Sequence, residues 1–262
     1  MELLVVALVY LLVGALAGVV AGLFGVGGGL IIVPALSYVF LKFHISSMQL
    51  AVGTSLAVIV VTATSSLLAH NKYGAVQWPV FRIMAPYIVA GSLLGAYAAA
   101  RLQSGHLKTV FGVVEILIAL QMYYELKPKA KQQLPGRFII AVVSSIIGFV
   151  SALAGIGGGT MTVPFLSWCN VAIHKAVATS AACGLPISIA GTLGFIFLLP
   201  SNAQLPDHSF GFVYWPAFIG IAVASSFTAP MGARLAHRLP TKKLRQFFAI
   251  FLLLIGLTML NA

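Results

Sequence analysis

Acidic residues are almost missing from this chain, with 4 Asp and Glu in 262 residues against 15 Lys and Arg. Charged residues make up 7% of the total, where a soluble globular domain carries about a quarter. No charge interrupts residues 3–41, 43–71, 83–100, 138–174, 176–206, 208–233 or 246–262. Four acids leave little from which to build paired-carboxylate catalysis or a carboxylate metal cluster. Cysteine is equally scarce. Cys169 and Cys183 stand fourteen residues apart, which matches no CxxC or zinc spacing and gives no reactive pair for a membrane thiol carrier. No basic n-region precedes the first apolar run, so a cleaved signal peptide is not expected. Apolar and polar residues do not alternate, which excludes a transmembrane β-barrel.

What is present is apolar. Hydrophobic residues make up 60% of the chain and the mean hydropathy is +1.06. A bilayer-spanning helix needs roughly 20 such residues, so the fold class is all-α, a polytopic helical membrane protein whose obligatory partner is the lipid bilayer. The net charge of +11 has three readings. Nucleic acid is not an expected partner, because no basic domain lies outside the membrane. Lys and Arg collected in cytoplasmic loops are the ordinary reading, and attraction of an anionic substrate is the third.

One apolar run contains an anomaly. Residues 22–36 read GLFGVGGGLIIVPAL, and residues 152–166 repeat the pattern as ALAGIGGGTMTVPFL. At a shift of 130, residues 25–38 and 155–168 agree at 8 of 14 positions. The repeat continues: AVGTS (51–55) resembles AVATS (176–180), Trp78-Pro79 recurs as Trp215-Pro216, and GAYAAARL (95–102) as GARLAHRL (232–239). The chain is a tandem duplication, with a first transmembrane repeat at 1–126, a basic cytoplasmic linker at 127–136 and a second repeat at 137–262. Spans are predicted near 49–70, 78–100 and 107–126, then 176–199, 212–234 and 244–261. The runs 3–41 and 138–174 are each too long for one span, and each is interrupted by glycines.

Charge decides how those runs count. If each enters and returns, the second repeat is inverted. One face then receives the twelve Lys and Arg at 72, 82, 127–137, 175 and 234–245, and the other receives Lys42, Arg101 and Lys108. Same-sense repeats divide these residues 6 to 9 instead. The positive-inside rule favours two inverted repeats with both termini outside.

Three consecutive glycines can end one helix and start another at a sharp angle. Non-helical backbone at membrane depth is tolerated only inside protein or beside an aqueous cavity. The short helices that follow the glycines place free N–H groups and the positive end of the helix dipole there. Pro34 and Pro164 fall in or just past the first turn, where a missing N–H does least harm. Two such termini meeting near the midplane would form an anion site. Gly27, Gly28, Gly29, Gly157, Gly158 and Gly159 are its candidate donors. The competing reading is close packing, the role expected of Gly14, Gly18 and Gly22 at four-residue spacing.

The chain resembles the TauE/SafE family of sulfite and organosulfonate exporters. The resemblance is carried by the twin GxGGG…P elements, the paired AV(G/A)TS segments, the basic midchain loop and the total length. It implies export of small sulfur-containing anions such as sulfite, sulfoacetate or another organosulfonate, with thiosulfate-like species allowed. Motif positions fall on Gly25, Gly27, Gly28, Gly29, Pro34 and on Gly155, Gly157, Gly158, Gly159, Pro164, with Thr54, Ser55, Thr179 and Ser180 in the second element. Those four hydroxyls either donate to the substrate or bond the carbonyl one turn back. Thr160 and Thr162 replace Leu30 and Ile32, making the second short helix the more polar wall.

Glu115 is the one acid deep in an apolar span, and its repeat counterpart is Leu252. It is either a proton-coupling carboxyl or a protonated structural acid. Lys175, beside AVATS, either concentrates anions at the entrance or anchors the topology. His44 and His174 follow the motif prolines by ten residues at span ends, and no metal or cofactor is expected. Trp78, Trp168 and Trp215 suit an interfacial belt or packing. The sequence therefore describes an inner-membrane transporter, compatible with a homo-oligomer. An integral-membrane enzyme or assembly factor is the alternative, with little to build it from.

Overall fold

The computed structural model describes residues 2–43, 45, 47–124, 135–201, 205–236 and 241–261. The first repeat forms α1 (Glu2–Phe24), α2 (Gly29–Lys42), α3 (Met48–Asn71), α4 (Trp78–Arg101) and α5 (Ser104–Tyr123). The second forms α6 (Arg137–Ala154), α7 (Gly159–Trp168), α8 (Ile173–Phe197), α9 (Trp215–Ala236) and α10 (Thr241–Asn261). A short ribbon, β1 (Ser209–Phe210) and β2 (Val213–Tyr214), precedes α9. The sequence did not signal it, and because of it α9 starts at 215 and not 212. Seven helices among the described residues are long and apolar enough to cross a membrane: α1, α3, α4, α5, α6, α8 and α9. Large apolar side chains such as Leu12, Leu94, Leu117 and Phe227 face outward. On a soluble protein such a surface would aggregate, whereas here it meets lipid. The expected linker residues 127–134, His44, residues 202–204 of the 200–211 loop and residues 238–240 lie outside the described residues.

Helix pairing follows the duplication. α1 packs on α9 as α6 packs on α4, α3 packs on α9 as α8 packs on α4, and α3 meets α8 as α5 meets α10. Small residues let backbones approach, which matters because helices in lipid gain no hydrophobic drive toward one another. Gly14, Gly18 and Gly22 lie against Ile221, Ser225 and Ala229 of α9, so α1 and α9 run parallel. Gly91 and Gly95 lie against Ser145 and Phe149, so α4 and α6 also run parallel. By contrast, Leu56 meets Gly191 and Ala63 meets Gly184, while Ile116 meets Gly256 and Gly112 meets Leu260. The corresponding helices α3 and α8, and likewise α5 and α10, are therefore antiparallel.

α1 and α2 form a hairpin. Tyr10 lies against Gly220 near the start of α9, and Phe40, near the end of α2, stacks edge-on against Tyr214 with centroids 5.5 Å apart. The chain enters along α1, turns at the glycines and returns along α2 to the end where it began. α1 has 23 residues, about 35 Å at ~1.5 Å per residue, so its turn lies well past the midpoint. α6 and α7 repeat the path from the opposite end.

Candidate functional site

Both hairpins turn at their glycines, and the two turns cross. α6 ends on Gly155 at φ 71°, whose N–H bonds back into the last turn, and the N–H of Ile156 reaches Ser151 O at 2.9 Å. α2 and α7 begin on Gly28 (φ 85°) and Gly158 (φ 71°), left-handed caps that disfavour a side chain. Cα atoms of Gly27 and Gly157 face one another, and the N–H of Gly157 donates to Val26 O at 3.2 Å.

The polarity of the crossing is one-sided. Three of its glycine carbonyls are covered by side-chain donors from the opposite or neighbouring helices, and that of Gly157 has no donor among the described residues. Ser55 Oγ donates to Gly155 O at 2.9 Å, Ser180 Oγ to Gly25 O at 3.3 Å, and Thr62 Oγ1 to Gly27 O at 3.1 Å. His70 Nε2 lies 3.1 Å from Gly22 O, which makes that nitrogen the donor. The N–H groups are not covered in the same way. Gly28 O accepts from Ile31 and Ile32, and Gly158 O from Met161 and Thr162. The N–H groups of Gly27, Gly28, Gly29, Leu30, Gly158, Gly159 and Thr160 have no hydrogen-bond partner among the described residues. Buried N–H groups without partners are rare, and two helix dipoles add their positive ends here.

The structure thus brings all six candidate glycines together. For the four hydroxyls of the second element it shows the bond one turn back at Thr179 and Ser180, and contacts across the repeats at all four. Ser55 and Ser180 tie α3 and α8 to the glycines of the other repeat. Thr54 accepts from the N–H of Tyr214 at 2.9 Å, and Thr179 accepts from the N–H of Gln77 at 2.9 Å. These are equivalent contacts holding the chain just before α9 and α4. Thr179 and Ser180 also bond Lys175 O and Val177 O within α8. Thr160 and Thr162 are buried with unpartnered hydroxyls. Lys175 is exposed at the start of α8. Glu115 is fully buried in α5 with neither carboxyl oxygen hydrogen-bonded. α5 packs chiefly on its counterpart α10, and the structure does not bring Glu115 to the crossing.

Sequence reasoning missed Thr62, Ser66 and His70. They stand four residues apart on one face of α3, where polar residues interrupt an apolar span. The signal was hidden because their counterparts in α8 are Ile187, Gly191 and Phe195, so comparison of the repeats discards it. Beside the crossing lies a narrow recess, too tight in this conformation to hold a water molecule, lined by Ala21, Gly25, Gly27, Ala63, Ser66, Gly157, Ala181 and Gly184. It is constricted in this conformation. Among the described residues no three His, Cys, Asp or Glu side chains gather to hold a metal.

Comparison with known proteins adds the family. The sequence pattern described as sulfite exporter TauE/SafE matches residues 10–259. A probable membrane transporter protein of Haemophilus influenzae is 38% identical over 259 residues, covering 96% of this chain and 97% of that one. Probable membrane transporter proteins of Methanocaldococcus jannaschii and Bacillus subtilis are each 28% identical, over 99% and 95% of this chain and 97% and 95% of theirs. No solved structure matches. A match over nearly the whole chain, on a fold with seven candidate spans, makes this protein a multi-pass membrane transporter of the TauE/SafE sulfite exporter family.

Proposed function

We propose that the chain exports a small sulfur-containing oxyanion, sulfite or an organosulfonate, by alternating access between two inverted repeats in the inner membrane. The observation that carries this reading is the polarity of the glycine crossing, where three glycine carbonyls are capped and seven N–H groups at the two helix starts are not. Such a surface favours an anion over a cation. A charge-assisted hydrogen bond contributes about 1.5–3 kcal/mol, so a few of these donors suffice for useful affinity. The crossing is closed in this conformation, and rocking of one repeat against the other would open it. Sulfur oxyanions are preferred over other anions on the family's description.

Antiparallel pairing of α3 with α8 and of α5 with α10 supports inversion. So does charge: Lys72, Arg82, Arg137, Lys175 and Arg234 share one end of the bundle, and Lys42, Arg101 and Lys108 the other. Residues 127–137 and 238–245 are therefore cytoplasmic, with 200–211 and both termini outside. Single-cysteine labelling of intact cells checks this, and residues 238–245 found opposite 127–137 would remove the inverted arrangement.

Glu115 is the proposed coupling acid. A carboxyl buried without partners is costly to keep charged, which suits a group that carries a proton through the membrane. Proteoliposomes loaded with sulfite and given a pH gradient should show gradient-driven efflux. Glu115→Gln should reduce that efflux several-fold and leave sulfite binding near wild type, because the amide keeps the size and loses the titration. Unchanged efflux would assign Glu115 to packing. A protein that moves none of sulfite, sulfoacetate and thiosulfate would refute the substrate class.

A further inference from the structure

The lining of the recess beside the crossing is not repeated in the other half of the chain, although the duplication calls for it. Transferring its lining to the other repeat gives Ser151 for Ala21, Gly155 for Gly25, Ser188 for Ala63 and Gly191 for Ser66. It also gives Leu56 for Ala181 and Ile59 for Gly184, and those two exchanges fill the space. Leu56 Cδ1 lies 2.8 Å from where a Cβ on Gly191 would stand, and Ile59 Cγ2 lies 3.0 Å from the same point on Gly27. The second position is packed shut by aliphatic side chains where the first is lined by glycine and alanine.

The chemistry of the first position is that of an anion site. Its lining contains no carboxylate. The carbonyls of Gly25 and Gly27 are already bonded to Ser180 and Thr62, the N–H of Gly27 is not bonded, and the carbonyl of Gly157 has no donor among the described residues. Ser66 is 2% exposed, and its Oγ has no hydrogen-bond partner. A buried hydroxyl without a partner is costly, and an anion in the recess would remove that cost. Ser66 lies one turn before His70 in the last turn of α3, so the recess faces the end of the bundle that carries the α3–α4 connection.

On these grounds, and resting on the transport reading above, we infer that, of the two symmetry-related positions beside the crossing, this recess is the one that holds the anion. Ser66 donates to the anion, and Leu56 with Ile59 closes the symmetry-related position and separates the recess from the opposite face. Transport is then asymmetric by side-chain volume, within a backbone that is symmetric by duplication.

The full chain in liposomes, with sulfite as probe, tests this. Ser66→Ala should keep its melting temperature and lose about tenfold or more in sulfite affinity. Ser144→Ala removes an equally buried, unpartnered hydroxyl outside the recess and should bind as wild type. Calorimetry should count one sulfite per chain. Wild-type affinity in Ser66→Ala, or two sulfites per chain, overturns the inference. A second readout needs no anion. In a chain also carrying Cys169→Ser and Cys183→Ala, Ser66→Cys should be alkylated by a small reagent from the α3–α4 face alone. Labelling from the opposite face, or from neither, overturns it. If Ser66→Cys labels as expected and sulfite does not bind, the substrate class fails and the recess stands. If Gly158→Ala keeps its affinity while Ser66→Ala loses it, the glycine donors fail and the recess again stands.

Discussion

Alanine at Gly159 is expected to prevent native folding, or to cost about 3 kcal/mol or more in the protein that survives. A Cβ there would meet the carbonyl of Gly25 and stand 2.7 Å from Val26 Cα. Both are backbone atoms of the other hairpin and cannot rotate away. Gly25 O is held in place by Ser180, so a shift that relieves the clash breaks that bond as well. Overpacking a tight core costs about 1–3 kcal/mol when side chains can adjust, and more when only backbone is available to move. Gly29→Ala should behave alike, since its Cβ would meet Gly155 O and stand 2.9 Å from Ile156 Cα. Gly105→Ala is the control: nothing lies within 4 Å of its Cβ position, and its stability should stay near wild type. Yield and melting temperature in detergent measure all three. A Gly159→Ala protein that melts with the wild type would mean that the hairpins do not cross this closely in the membrane.

Gly158→Ala should give the opposite result, a folded protein with weak anion binding. Its φ of 71° is left-handed, a strain of order 1–2 kcal/mol for alanine. The new methyl would press on the Cδ1 of Ile187, the free end of a flexible side chain, and on Ser151 Oγ at 3.3 Å, so the fold should hold. If the N–H groups of residues 158–160 face the anion, displacing them should cost about 1.5–3 kcal/mol per bond, or roughly 10- to 150-fold in sulfite affinity. Gly28→Ala is a poorer probe, because its Cβ would stand 2.9 Å from Ala17 O and mix stability with binding. Gly18→Ala is the packing control. Pressed against Thr228 and the backbone of Ser225, it should lose stability and keep its affinity. Were Gly158→Ala to lose stability in step with Gly18→Ala at wild-type affinity, the glycines would serve packing and the proposed donors would be wrong.

Glu115 shows where reading along the chain stops short. Its depth in an apolar span was plain, and the structure does bury it without partners. Its neighbours were not readable, because the span that covers it, α10, lies more than a hundred residues away. The four hydroxyls of AVGTS and AVATS show the same limit. Each has a carbonyl one turn back within reach, and Thr179 and Ser180 bond it, yet Ser55 bonds Gly155 across 100 residues and Thr54 bonds Tyr214 across 160. A hydroxyl has several partners of similar energy, and only the fold chooses among them.

The sequence by itself determined the spans, the glycine breaks, the duplication and the helix starts at Gly28 and Gly158. These follow from local quantities: the length of an apolar run against the thickness of a bilayer, and the backbone freedom of glycine. Only the tertiary structure shows that the two turns touch, and that hydroxyls of α3 and α8 cover the carbonyls of Gly25, Gly27 and Gly155. It also decided that Thr62 and His70 bond carbonyls of the first hairpin, and that Leu56 and Ile59 pack against Gly191 and Gly27. Those outcomes depend on which side chain meets which backbone across the interface between repeats. Volume and hydrogen-bond partnership there belong to pairs of residues, and no single stretch of the chain contains both members.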